Sequence, residues 1–147
     1  VYDRTEATVL GCQPVPEDKV SSYGIIKGTA TDDPRLMRVQ DMVEKPDLAE
    51  APSHMAVLGR YIITPDVFDI LQQTKPGKGG EVQLTDALRV MAHKEPVYAY
   101  HFEGKRYDVG DKLGFLKATV EFALRRPDLK DAFGQYLQNI AGSYGKR

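Results

Sequence analysis

Met55-Ala56-Val57-Leu58-Gly59-Arg60-Tyr61-Ile62-Ile63 is a near-continuous apolar run of strand length. It predicts a central β-strand. Gly59 inside the run marks either a bulge or a point where another group approaches the backbone closely. Thr64-Pro65 follows at once, an N-cap residue with proline at the first helical position, ahead of a short helix carrying Val67, Phe68, Ile70 and Leu71.

Working outward, the chain alternates strand and helix patterns. Upstream, residues 7–13 are β-branched and apolar and read as a buried strand ended by Pro14 and Pro16. Residues 17–20 form one helical turn, and residues 24–28 a second strand. Thr31-Asp32-Asp33-Pro34 is a turn, so residues 36–43 run back as the antiparallel partner. Met37, Val39 and Val43 alternate on one side, with Asp41 weakening the pattern.

Downstream, Lys75-Pro76-Gly77-Lys78-Gly79-Gly80 reads as a mobile basic connector and lacks the spacing of a nucleotide-binding P-loop. Glu81 opens a helix with a Leu84, Ala87, Leu88, Met91 stripe. Residues 96–102 alternate as a strand, with Tyr98, Tyr100 and Phe102 as its core side. Arg106-Tyr107-Asp108-Val109 returns as a short strand, and Asp111 caps the helix behind it. A last amphipathic helix carries Leu129, Ala132, Phe133, Tyr136, Leu137 and Ile140. Gly142 ends it, leaving a disordered tail. The fold class expected is α/β, a mixed sheet with flanking helices, as one domain over residues 1–142 and a tail over 143–147.

Composition bounds the function. The chain has 147 residues, 41% hydrophobic and 28% charged, with a net charge of -1. That is a soluble globular composition without the charge excess of a nucleic-acid or membrane-surface binder. The single cysteine, Cys12, excludes an internal disulfide framework and fits a reducing, cytoplasmic location; in its apolar run it reads as a small buried hydrophobe. A first residue of Val rather than Met points to a fragment, a processed product or an artificial boundary.

Two stretches carry chemistry. In Met42-Val43-Glu44-Lys45-Pro46, proline pushes Lys45 into an extended conformation and stops the strand. A carboxylate and an ammonium at a strand tip suit a polyhydroxyl anion, the one accepting from hydroxyls and the other meeting a phosphate. The plain alternative is a surface ion pair beside a turn. A regular strand also sends neighbours to opposite faces, so one ligand touches both only if the strand ends there. Asp108, before a glycine and a helix start, is either a hard-cation ligand or, like Asp111, a helix cap. His54, His93 and His101 are scattered without metal-ligand spacing.

Five segments in order carry a resemblance: residues 22–26 (Ser-Tyr-Gly-Ile-Ile), 43–46 (Val-Glu-Lys-Pro), 56–62 (Ala-Val-Leu-Gly-Arg-Tyr-Ile), 80–87 (Gly-Glu-Val-Gln-Leu-Thr-Asp-Ala) and 107–114 (Tyr-Asp-Val-Gly-Asp-Lys-Leu-Gly). Together they resemble the sugar-phosphate nucleotidyltransferases, most nearly the bacterial enzymes that use UTP and glucose 1-phosphate. The resemblance implies the C-terminal part of a Rossmann-like nucleotide-diphospho-sugar transferase fold. It implies attack by glucose 1-phosphate on the α-phosphorus of UTP, releasing pyrophosphate and UDP-glucose. By the same resemblance Gly24, Glu44, Val57 and Gly59 receive the sugar, Lys45 holds its phosphate, and Asp108 is one of two aspartates binding catalytic Mg²⁺. Lys45 and Asp108 are thus the implied catalytic residues.

The family's G-x-G-T-R-type nucleotide loop and its second metal-binding aspartate have no counterpart here. The resemblance therefore implies a sugar-side half that is inactive alone, with open strand edges that favour homo-oligomers. The alternatives are a related enzyme using dTTP or ATP, and a non-catalytic sugar-phosphate-binding or assembly module.

Overall fold

Among its described residues, Val1–Glu103, the first of two compact units, holds five strands and three α-helices; the second unit is Gly104–Arg147. The computed structural model describes residues 1–77 and 80–144. Among these, the strands are β1 (Thr8–Pro14), β2 (Gly24–Ala30), β3 (Leu36–Glu44), β4 (Met55–Ile62) and β5 (Val97–His101). They hydrogen-bond in the order β1-β4-β2-β3-β5 and close into a ring through a parallel β1–β5 pair; the other pairings are antiparallel. The sheet is mixed, as expected. The expected open edges are absent among the described strands, because β5 bridges β1 and β3. One junction is thin: β2 meets β4 only at Ile25 and Ala56.

The period-2 rule explains the apolar run of β4. Val57 joins the larger core with Leu10, Cys12, Ile26, Val39 and Met42 of neighbouring strands, while Ala56 and Leu58 face a second cluster with Val20 and Ile25. The larger core is roofed by α2 (Val67–Gln73) and α3 (Leu84–Lys94), which contribute Val67, Ile70, Ala87, Leu88 and Met91. A short α1 (Tyr2–Thr5) precedes β1, and 3-10 turns occupy Glu17–Ser22 and Leu48–Glu50.

Two bulges reset the pattern. On β4, Arg60 pairs with Gly11 but Val57 with Cys12, so Leu58 and Gly59 are extra; Gly59 takes φ of +69°, which a glycine adopts without strain. On β3, Asp41 pairs with Lys27 but Val39 with Gly28, leaving Gln40 unmatched. The core-facing side therefore runs Met37, Val39 and then Met42, and Asp41 points to the rim of α3.

Several expectations are corrected. Thr64 does not cap α2: its amide donates to the Thr8 hydroxyl at 3.0 Å, and the helix starts after Asp66. Glu81 does not open α3, because its carbonyl accepts the Gly77 amide at 2.9 Å and the helix starts after Gln83. The tyrosines of β5 are not its core side. Val97 and Ala99 are fully buried, and Tyr98 and Tyr100 lie half-buried under the guanidinium groups of Arg38 and Arg35. Of the basic connector, Lys78 and Gly79 lie outside the described residues.

α3 is fixed along β3 by a polar row beside its apolar stripe. Thr85 donates to Glu44, Arg89 donates to Asp41 at 2.6 Å, and Arg38 donates to the Glu95 carbonyl at 3.1 Å. Burying a Leu or Met contributes about 1.5–3 kcal/mol, an exposed ion pair about 0.2–1 kcal/mol. Burial of Leu88 and Met91 thus supplies the adhesion, and the polar row sets the register.

The second unit contains α4 (Lys112–Arg125) and α5 (Lys130–Tyr144), which pack on each other. Asp111 caps α4, accepting the Gly114 amide at 2.7 Å. Residues 106–109 form no strand. Tyr107 instead donates to Glu121, Arg125 donates to the Tyr107 hydroxyl at 2.8 Å, and Lys105 also reaches Glu121. The Lys105 and Tyr107 bonds, with the two cations nearby, hold the Glu121 carboxyl below its ordinary pKa. α5 runs past Gly142 to Tyr144, where Ser143 bonds back to the Ile140 carbonyl at 2.8 Å. The rest of the expected tail, residues 145–147, lies outside the described residues. No described helix is long and apolar enough to cross a membrane.

Two outcomes test this packing. Burial pushes the Cys12 thiol up to about 12, so Ellman's reagent at pH 8 should leave it unlabelled until denaturant unfolds the chain; rapid labelling of the folded chain would contradict its place in the core. Partial burial works to raise the Asp41 carboxyl, but Arg89, the Met42 amide and His93 together hold it below its usual value. A depressed folded pKa stabilises above the unfolded value and is lost as pH falls through the folded one. Urea melts should show Asp41→Asn less stable by about 0.5–1 kcal/mol at pH 7, with the gap closing below about pH 4.

Candidate functional site

The site forms where β3 ends. Glu44 is the last residue of β3 and lies opposite Gly24, the first residue of β2. Lys45 then takes φ of +45° and its amide donates to the Tyr23 carbonyl at 3.0 Å. The expected extended conformation ahead of Pro46 is thus corrected: the hydrogen bond to Tyr23 holds a left-handed turn instead. Such a conformation in a non-glycine residue costs about 1–3 kcal/mol and clusters at functional sites. It also resolves the opposite-face problem. Lys45 Nζ lies 3.8 Å from Glu44 Oε1, so ammonium and carboxylate share one side of the strand end.

Glu44 is the less exposed of the two, its side chain 18% accessible against 55% for Lys45. Its Oε2 accepts the Thr85 hydroxyl from the first turn of α3. A Cβ on Gly24 would sit 3.1 Å from Oε2 and 3.2 Å from the Thr85 hydroxyl, tighter than ordinary contact. Gly24 thus leaves the space in which that bond forms. Tyr61 of β4 belongs to the same neighbourhood: burial, and secondarily the Glu44 charge, push its phenol above the ordinary value. It also lines an open groove of about 360 Å³ with Arg60, Tyr100 and Phe102.

The remaining predicted residues are placed as follows. Gly59 is exposed at the β4 bulge, with nothing within 4 Å of where a Cβ would stand. Val57 has its side chain in the core, so only its backbone is available to a ligand. Asp108 lies in the second unit, on the turn before α4. Its Oδ1 accepts the Gly110 amide at 3.1 Å, and Arg106 stands 3.4 Å from Oδ2. A Cβ on Gly114 would stand 1.9 Å from the Asp108 carbonyl oxygen, so α4 starts hard against this turn because residue 114 is glycine. The structure therefore joins Gly24, Glu44 and Lys45 in one place within the first unit. Among the described residues no group of three or more His, Cys, Asp or Glu is arranged to hold a metal ion.

Sequence reasoning gave Thr85 and Tyr61 no role. Both lie inside segments that carry the resemblance, but nothing local marks them. A threonine in a helix's first turn is common, and its reach to a strand end 41 residues away is a tertiary fact.

The pattern of the nucleotidyl transferase family, matched over residues 2–124, gives this arrangement a context. The chain is 45% identical over 136 residues to the UTP–glucose-1-phosphate uridylyltransferase of Streptococcus pneumoniae serotype 4, covering 92% of this chain and 46% of that protein. It is 44% identical over 139 residues to the enzyme of that name from Bacillus subtilis, covering 95% and 47%. Among solved structures, a UDP-glucose pyrophosphorylase complexed with UDP-glucose superposes with a TM-score of 0.81 at 43% identity, over 85% of this chain and 47% of that one. A UTP-bound UGPase from Acinetobacter baumannii superposes with a TM-score of 0.79 at 33% identity, over 93% and 47%. The chain spans about half the length of these relatives, and over that half its mixed α/β fold is theirs. The chain belongs to the nucleotidyl transferase family.

Proposed function

We propose that the chain is the sugar-phosphate-binding part of an enzyme that makes UDP-glucose and pyrophosphate from UTP and glucose 1-phosphate. The observation that carries this reading is the left-handed turn at Lys45, which brings Nζ within 3.8 Å of the Glu44 carboxylate. A carboxylate that accepts and an ammonium that donates, side by side at a strand end, match a sugar that carries hydroxyls and a phosphate. The names of the relatives support UTP and glucose 1-phosphate as the pair.

In the reaction, a phosphate oxygen of glucose 1-phosphate forms a bond to the α-phosphorus of UTP. The bond from that phosphorus to the bridging oxygen breaks, and its electron pair leaves with pyrophosphate. Lys45 holds the sugar phosphate and offsets its charge. Glu44 accepts from a sugar hydroxyl and fixes the ring beside Gly24, and the Val57 backbone and the open surface at Gly59 are assigned to the sugar as well. Placement and charge neutralisation supply the catalysis, and no covalent enzyme intermediate is needed. Mg²⁺ would neutralise the phosphates when bound. Asp108 would supply it one hard oxygen ligand, with phosphate and water supplying others. The exposed apolar residues of α4 and α5, including Leu113, Leu116, Phe122 and Tyr136, are the surface we assign to a second copy of the chain.

Titration calorimetry of this chain should show glucose 1-phosphate binding that weakens about tenfold or more in Lys45→Ala, since a charge-assisted hydrogen bond is lost. Equal affinity in the two proteins would sink the site. With UTP, glucose 1-phosphate and Mg²⁺, this chain should release little or no pyrophosphate, because the sugar side alone does not position the nucleotide. Turnover matching an intact enzyme would contradict that division.

A further inference from the structure

We infer that Thr85 is a positioning residue for Glu44, and that the Thr85–Glu44 bond makes the site selective for a ligand carrying a hydroxyl beside its phosphate. The assignment rests on the sugar-phosphate reading above. A carboxylate has two oxygens, each able to take a ligand hydroxyl, and on a three-bond side chain it has several orientations. Here Oε2 is taken by the Thr85 hydroxyl, and Oε1 is the oxygen on the Lys45 side. Fixing Oε2 to α3 leaves Oε1 as the acceptor for a sugar hydroxyl, at a set distance from the ammonium that takes the phosphate.

Three features make this bond a held one. Thr85 sits on a helix whose Ala87, Leu88 and Met91 are buried in the core, so its hydroxyl is delivered by a rigid element. The Arg89–Asp41 pair one turn along the helix keeps α3 in register with β3. Gly24 opposite Glu44 supplies the clearance, because a methyl group there would stand 3.1 Å from Oε2 and 3.2 Å from the Thr85 hydroxyl. Valine at position 85 keeps the shape and removes the donor, whereas alanine at position 24 keeps the donor and crowds the bond. The two changes reach one interaction by independent routes.

The test measures glucose 1-phosphate binding by calorimetry and inorganic phosphate binding by ³¹P NMR at millimolar ligand, with thermal melts alongside. The proteins are this chain and its Thr85→Val, Thr85→Ser, Gly24→Ala and Lys45→Ala variants. Thr85→Val and Gly24→Ala should weaken glucose 1-phosphate about tenfold, the effect of losing a hydrogen bond to a charged group, and leave inorganic phosphate within about twofold. Thr85→Ser, which keeps the hydroxyl, should restore binding to within about threefold of the unsubstituted chain. Unchanged glucose 1-phosphate affinity in Thr85→Val overturns the inference. So does equal loss of both ligands with a lowered melting temperature, or a serine variant no better than valine. If the unsubstituted chain binds neither ligand, or Lys45→Ala changes neither, the sugar-phosphate reading itself fails and the inference falls with it.

Discussion

The left-handed turn at Lys45 is the constraint on which the site depends. A side chain with positive φ before a proline is an uncomfortable conformation, and this one persists because the Lys45 amide is tied to the Tyr23 carbonyl as β3 leaves the sheet. Without that turn, Glu44 and Lys45 would follow the strand's alternation to opposite faces. With it, the strand tip presents a carboxylate and an ammonium together, beside the glycine that begins β2. Backbone strain at one residue thus brings the carboxylate and the ammonium of an ordinary dipeptide side by side.

The strand end is supported by division of labour between apolar and polar contacts. Burial of Leu88, Met91 and Ala87 holds α3 on the sheet, and each large side chain there outweighs any one exposed ion pair. The polar row of Thr85, Arg89 and Arg38 against Glu44, Asp41 and the Glu95 carbonyl adds less stability but fixes which turn of the helix faces which residue of the strand. Register matters more than strength here, because a helix displaced by one turn would take Thr85 away from Glu44.

Much of the fold was legible because its strands are short, apolar and bounded by glycine and proline. The β2–β3 hairpin, the apolar run of β4 and the amphipathic α3 all follow from pattern and turn chemistry. The unmatched Gln40 was not legible: it turns Asp41 outward and Met42 inward, so a sequence pattern weakened by an acidic residue becomes a regular one in space. The face of β5 was misread for a related reason. Tyrosine is large and apolar enough to look like core, but the inner side here takes Val97 and Ala99, while the tyrosines lie under arginines that come from elsewhere in the chain. The Glu44–Lys45 pair was legible as chemistry and not as geometry, since proline argued for an extended Lys45. Thr85 was invisible because its partner lies on another element. Asp108 was legible as a position before a helix, but the strand expected to carry it is a turn braced by Tyr107 and Glu121.

Whether Glu44 and Lys45 are two halves of one ligand site is tested most directly by a crystal structure of this chain soaked with glucose 1-phosphate. It should show the ligand phosphate against Lys45 Nζ and a sugar hydroxyl donating to Glu44 Oε1, with Oε2 still held by Thr85. Ligand bound elsewhere on the chain, or a Lys45 that reverts to an extended backbone and turns its side chain away from Glu44, would contradict it.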